Sequence, residues 1–476
     1  MTILFGSERF LKRKGLKSTP VADMDNSSSS NSGSLDASTR DDLLTSGLPA
    51  GTPPDEPPSE PEAERVAEEA SALSLLRVFR HRNYRLFFSG QLVSLMGTWM
   101  QTVAQAWLVY RLTHSPFLLG FTSFCAQVTV FFMASLGGMI ADRVDRRKML
   151  IVTQSLAMVQ AAILAVLTLT GIVQVWEIIA LAFGVGLINS VDVPTRQSMT
   201  LDMVGREDLR HAIALNSMMF NLARVVGPSL AGALIAIVGE GVCFSLNALS
   251  FAAVLTSLLL MQFAPRKRPP AQHPLREMIA GYRYSFSHPQ IRTALMLVGV
   301  SSMFGAAYLS MLPAFTRDIL HGASTSYGTL MTSVGAGALI GAYILSRIHE
   351  RWLQFAPVAA SFCFGVCLIL FAHSHVLWVS VALLLPTACS LMLLGGTTNT
   401  IIQIAAGEHY RGRVISHYTQ SFLGMMPWGS LLLGSIAGRL GVATAVTIGG
   451  SVVVAAAAFA AFTKRDAIRA ERLAAE

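Results

Sequence analysis

A chain of 476 residues with 52% hydrophobic and only 13% charged residues carries about half the charge of a soluble domain, where roughly 25% is usual. That balance excludes a water-soluble globule of this length and points to a protein that crosses a membrane many times. The formal charge of +8 does not mark a nucleic-acid binder, because the cations sit between long apolar runs and not on a polar domain.

Residues 1–72 are a different material. They hold the serine run Ser27 to Ser30, the Pro-rich stretch from Pro53 to Pro58 and few large apolar residues, so a disordered N-terminal tail is expected there. No signal-peptide-like apolar core stands out in it, and Met24 is an alternative start. A basic lead-in, Arg77, Arg80, Arg82 and Arg85, then precedes the first apolar run.

Each run of about 20 apolar residues is long enough to cross roughly 30 Å of hydrocarbon as a helix. Spans are predicted near 86–110, 117–140, 149–171, 175–198, 210–238 and 242–262. A polar connector, 263–292, holds Arg266-Lys267-Arg268-Pro269-Pro270 and an expected interfacial helix ending near Tyr282, Tyr284 and Phe286. Six more spans follow near 293–315, 327–346, 355–372, 376–402, 413–437 and 441–462. The fold class is therefore an all-α membrane protein of twelve transmembrane helices in two pseudo-symmetric six-helix bundles, 73–262 and 293–463, with a short tail at 464–476.

Charge tests this layout. Alternate connections and flanks hold nearly all the cations, among them Arg143, Arg146, Arg147, Lys148, Arg206, Arg210, Arg347, Arg351, Arg411 and Arg413, whereas the intervening ones hold only Arg111, Arg317 and Arg439. The positive-inside tendency then puts the basic side, and both termini, in the cytoplasm. The halves also echo each other. Gly137, Arg143 and Arg147 recur as Gly341, Arg347 and Arg351; Gly205, Gly227 and Gly232 recur as Gly407, Gly429 and Gly434; Arg111 and His114 recur as Arg317 and His321.

The five cysteines all lie inside apolar runs, with Cys363 and Cys367 one helical turn apart. They read as small packing residues, since no His or acidic partner stands at ligand spacing, and no metal or other cofactor is expected. Neither a phosphate-binding Gly-rich loop nor a recognisable hydrolase motif appears, which argues against a nucleotide-driven pump and against an enzyme.

The most informative stretch is Gly138-Met-Ile-Ala-Asp142-Arg143-Val-Asp145-Arg146-Arg147-Lys148, a tight charged hairpin between the second and third spans. It resembles the loop Gly-x-x-x-Asp-Arg-x-Gly-Arg-Arg of the major facilitator superfamily, and the resemblance covers everything after about residue 76. Gly138, Asp142, Arg143, Arg146 and Arg147 match, while Asp145 stands where the family has Gly. The resemblance implies a conformational latch in which Asp142 faces a helix N-terminus of the other half and Arg143 and Arg147 bridge nearby acids or carbonyls. The blander reading is that these charges only fix topology.

A second match, Asn221-Leu-Ala-Arg224-Val-Val-Gly227-Pro228-Ser-Leu-Ala231-Gly232, is similar to the family's Gly-Pro-x-x-Gly-Gly element of exporters, with Ala231 replacing one Gly. Pro228 removes a backbone donor and the glycines allow close approach, so a kinked fifth helix is expected. Asp192-Val-Pro194-Thr-Arg196, Asn216 and Asn221-x-x-Arg224 together resemble the branch that contains enterobactin exporters and related secretion proteins, and that resemblance implies a bacterial inner membrane.

The candidate substrate or coupling residues are Arg224, Asp192, Arg196, Gln101, Gln105 and Gln127. Arg224 falls near mid-membrane, where a cation is costly and reads as functional; its alternative role is to bond freed backbone around Pro228, or Gln127. Asp192 and Arg196 are spaced to pair on one helix face near the inner end. The resemblance implies a secondary-active exporter, coupled to an ion such as the proton, that moves a small amphipathic molecule, a drug-like compound or siderophore, by alternating access. An importer, or a non-transporting receptor or scaffold on the same fold, is the alternative. The expected partners are the small-molecule substrate and the lipid bilayer, with no nucleic acid, and the protein is expected to be a monomer.

Overall fold

Inside a bilayer no water can bond a free peptide group, so an apolar run folds as a helix that satisfies its own backbone. The computed structural model describes residues 77–262, 283–407 and 410–475, with side chains at 130, 133–143, 350 and 464–475 excepted. All of them belong to one unit, Leu73–Glu476; the tail at 1–72 and most of the connector, 263–282, lie outside the described residues.

After a single 3₁₀ turn, Arg77–Arg80, the helices are α1 (Arg82–Thr113), α2 (Pro116–Arg143), α3 (Arg146–Leu169), α4 (Val175–Val204), α5 (Leu209–Val238) and α6 (Glu240–Leu260). The second set is α7 (Pro289–Asp318), α8 (Ser324–Arg347), α9 (Ala356–Ala372), α10 (Leu377–Ala405), α11 (Arg411–Leu440) and α12 (Val442–Ala475). Among the described residues nine helices are long and apolar enough to cross a membrane, and Pro116–Thr129 and Ala356–Ala372 are shorter apolar helices. Nearly all the structure is helical, and the protein is a multi-pass membrane protein.

The helix ends have local causes. His114 closes α1 in the left-handed region at φ 48°, its N–H donating to Tyr110 O, and its sequence counterpart His321 adopts φ 49°. These are the only non-Gly residues with positive φ among those described, so the echo read from the sequence extends to the backbone. Gly239 and Gly441 end α5 and α11 at φ 82° and 86°, where a side chain would be strained. Asp145, which replaces the family's Gly, has φ −61° and caps α3 by accepting from Lys148 N at 3.1 Å. The turn there needs a cap and not a positive φ.

Several boundaries differ from the sequence expectation. α4 runs through Pro194 to Val204, so Asp192 lies about 18 Å from the end of its helix at about 1.5 Å per residue and not near it. α5, by contrast, keeps the expected bounds and carries Pro228 inside one helix. α7 starts at Pro289, which occupies the first turn where its missing N–H costs nothing, and it is interrupted by a π turn, Ser301–Ala306. α11 pauses between Phe422 and Met425.

The packing repeats itself. α1 packs on α5 and α6, α2 on α4, and α3 on α4 and α6, as α7 does on α11 and α12, α8 on α10, and α9 on α10 and α12. Two seams join the sets, α5 with α8 and α2 with α11. Each seam has a glycine pair: a Cβ on Gly328 would lie 2.9 Å from Gly232 Cα, and one on Gly434 would lie 3.1 Å from Gly120 Cα. Backbones therefore meet there without side chains between them. The connections at 205–208, 348–355 (with the one-turn helix Glu350–Leu353) and 406–410 follow the basic ends of the helices, and those at 114–115, 239 and 319–323 follow the opposite ends.

Candidate functional site

Arg224 sits about 22 Å along α5 from Leu209 at about 1.5 Å per residue, and a similar distance from Val238. Its guanidinium carbon lies 5.8 Å from the centroid of the Trp99 ring on α1, within cation–π range. Trp99 meets Phe220 edge-on at 5.7 Å. Among the described residues Arg224 makes no hydrogen bond and no ion pair. The two structural roles open to it in the sequence are not used: Gln127 bonds Ser123 O in its own helix at 3.5 Å, and the carbonyls around Pro228 accept nothing from Arg224. Tyr308, on α7 in the other set, is 1% exposed, lies within electrostatic reach of Arg224, and its hydroxyl has no hydrogen-bond partner among the described residues.

The Asp192 and Arg196 pair forms as the spacing required. The carboxylate is 1% exposed and also accepts from Thr153 Oγ1 at 2.7 Å and Gln154 Nε2 at 2.8 Å, so it is enclosed between α3 and α4. Gln101, expected to face a cavity, is instead spent within the first set: it donates to Gln160 Oε1 at 3.1 Å and accepts from Asn247 Nδ2 at 2.7 Å. A buried amide must be satisfied, and here its neighbours on α3 and α6 do so. Gln105 is half-buried. Gly227 meets the Trp99 Cβ of α1 at 2.6 Å from an added Cβ, which fixes α5 against the helix that carries the aromatic partner of Arg224.

Of the charged hairpin, the side chains of Gly138, Asp142 and Arg143 lie outside the described residues. Arg146 reaches Asp202 Oδ2 at 2.7 Å and Ser198 O at 3.1 Å on α4. Arg147 donates to Leu258 O and Leu259 O at 2.7 and 2.8 Å, two of the last carbonyls of α6, where a cation also opposes the helix dipole. Both cations thus tie helices of the first set together. Nearby, Asp208, before α5, accepts from His81 Nε2 at 2.8 Å and from Arg80 Nη2 at 3.0 Å, with Arg77 at 3.8 Å. The His81 hydrogen bond, aided by Arg80 and Arg77, holds its carboxyl below the usual carboxylate range.

At the opposite end the sets are clasped. Tyr110 on α1 donates to Asp318 on α7, Trp107 stacks on Tyr327 at 5.9 Å, and Ser229 on α5 hydrogen-bonds Thr332 on α8 at 2.6 Å. Arg111 pairs with the buried Glu240 at 2.8 Å. A cavity of about 420 Å³ beside this clasp is lined by Trp107, Arg317, His321, Gly322 and Ala323. Further in, Phe124, Phe131 and Phe132 of α2 surround Trp428 of α11.

Residues 73–476 match the family described as transmembrane secretion effector. The chain belongs to this family of the major facilitator superfamily. Among curated relatives of this secretion-effector chain, the staphyloferrin A transporter of Staphylococcus aureus is 26% identical over 77% of this chain and 92% of its own length. The enterobactin exporter EntS of Citrobacter koseri is 25% identical over 79% and 90%. A solved bacterial homolog of the human lysosomal transporter Spinster, inward-facing and occupied, superposes with TM-score 0.65 at 14% identity, over 81% of this chain and 97% of that one. A bacterial homologue of the iron transporter ferroportin, inward-facing, gives 0.58 at 17% over 80% and 97%. These structures establish the fold as that of major facilitator transporters.

Sequence reasoning found Arg224 from its depth but missed Trp99 and Tyr308. An aromatic residue in an apolar run carries no periodic signal. It also missed Asp208, whose three basic partners lie more than 120 residues away.

Proposed function

We propose that this secretion-effector chain is a secondary-active exporter of a small amphipathic molecule, working by alternating access between twelve crossings arranged as two six-helix halves. The basic end faces the cytoplasm of the bacterial inner membrane, with both termini on that side and the N-terminal segment as an appended tail. The observation that carries the reading is the pairing of seams: α5 with α8 and α2 with α11 meet through glycine pairs near the end opposite the basic one, with the clasp of Tyr110 and Asp318 beside them. That arrangement suits a form closed to the outside and open to the cytoplasm, in which cargo enters from within. The named activities of the relatives favour a siderophore as cargo, and protons are the coupling ion that the family resemblance suggests.

Asp142, Arg143, Arg146 and Arg147, with Gly138, act in this reading as the inner latch, and Gly227, Pro228 and Gly232 let α5 move against α8. Arg224 contacts cargo; Asp192 and Arg196 stabilise the first half or carry the coupling proton. Everted membrane vesicles containing the chain should accumulate siderophore when energised and lose it with an uncoupler. Uptake into right-side-out vesicles alone would reverse the direction, and no gradient-dependent movement of any solute would leave a receptor or scaffold.

A further inference from the structure

Three cations on the described helices are paired with a carboxylate. Arg196 has Asp192, Arg111 has Glu240, and Arg146 has Asp202. Arg224 has no carboxylate partner among the described residues, although it stands at the depth where an uncompensated charge costs most. Its five N–H donors form a planar fork suited to a carboxylate or another oxyanion. The Trp99 face on one side supplies only a partial counterweight.

A second unspent donor lies across the divide. The Tyr308 hydroxyl is buried without a partner among the described residues, and a polar group left unbonded in the interior is costly. It does not bond Arg224 directly, so two donors, one from each set, are left without an acceptor among the described residues in this conformation. Water would accept without neutralising the charge. An anion does both.

We infer that the cargo carries an oxyanionic group, a carboxylate or a comparable acidic oxygen, held between Arg224 of the first half and Tyr308 of the second, with its planar part against Trp99. This rests on the transporter reading above and deepens it by naming the chemical class. It also links occupancy to conformation, since an anion bridging α5 and α7 is held fully only while those helices keep this spacing. Cationic amphiphiles are disfavoured, because they would bring a second positive charge to Arg224.

The test uses the full chain in nanodiscs, with 2-naphthoate and its uncharged amide 2-naphthamide as probes and calorimetry as the readout. The acid should bind at least ten-fold more tightly than the amide. Arg224→Gln should remove that preference, bringing the acid and the amide to within about two-fold of each other, Arg224→Lys should keep part of it, and Tyr308→Phe should weaken the acid about three-fold. Equal affinity for the two probes, no saturable binding of the acid, or an unchanged preference in Arg224→Gln would overturn the inference. If Arg224→Gln does not survive size-exclusion chromatography, Arg224→Lys and Tyr308→Phe decide the matter, and unchanged preference in both overturns it. Acid-selective binding without solute movement in vesicles would sink only the exporter reading; transport of a neutral or cationic cargo undiminished in Arg224→Gln would sink only this one.

Discussion

Replacing Gly328 with Ala puts a methyl group into the α5/α8 seam, 2.8 Å from Pro228 O and 2.9 Å from Gly232 Cα. Ordinary contacts of such a carbon begin near 3.4 Å, and both neighbours are backbone, so the helices must part by about half an ångström. Overpacking of this kind costs about 1–3 kcal/mol, charged only against the form in which the seam is closed. The helical preference for Ala over Gly, about 0.5–1 kcal/mol, applies to both forms and cancels between them. A difference of that size shifts a two-state equilibrium by about 5–150-fold. Gly434→Ala should do the same at the α2/α11 seam, where its Cβ would lie 2.9 Å from Pro116 O, and the double variant should shift further. Spin labels at Leu112→Cys and Thr325→Cys, in a background without the five native cysteines, report the separation of the two sets at this end. The variants should populate a longer distance. A distribution identical to the parent in a folded Gly328→Ala protein would refute the idea that these seams set the conformational balance.

Three further outcomes follow from named contacts. Asp192→Asn should cost about 1.5–3 kcal/mol by taking the charged acceptor from the half-buried Arg196, Thr153 and Gln154, and adding Arg196→Gln should restore part of it, read as a double-mutant cycle in thermal unfolding; additivity would mean the two do not interact. Asp208 has a lowered folded pKa, so its contribution is complete above the ordinary carboxylate value of about 3.9 and is lost as pH falls through the lower folded value. The stability gap between parent and Asp208→Asn should therefore be constant near neutrality and shrink only below about pH 4; a gap that widened there would be inconsistent with this. Arg147→Ala should free two α6 carbonyls and lower stability by about 1–2 kcal/mol, seen in a detergent thermal shift, with Arg147→Lys in between.

The sequence alone determined the architecture at the level of helices, and a physical reason makes it legible. A bilayer demands about 20 apolar residues per crossing, and cations must stay at the ends of the spans, so length, hydropathy and charge suffice without knowledge of any contact. The counterpart positions His114 and His321 came from spacing as well, and the backbone repeats there because a helix end of that geometry is a local event. Depth along a helix is also linear in sequence, which is why Arg224 stood out. What a residue touches is not linear. Only tertiary packing decided that Gln101 is consumed by Gln160 and Asn247, that Arg147 binds the end of α6, and that Arg224 faces Trp99 with Tyr308 across the divide. Those partners sit on helices whose azimuth an almost uniformly apolar surface leaves unmarked, and it is the fit of glycine against backbone at the seams that fixes which side each helix presents.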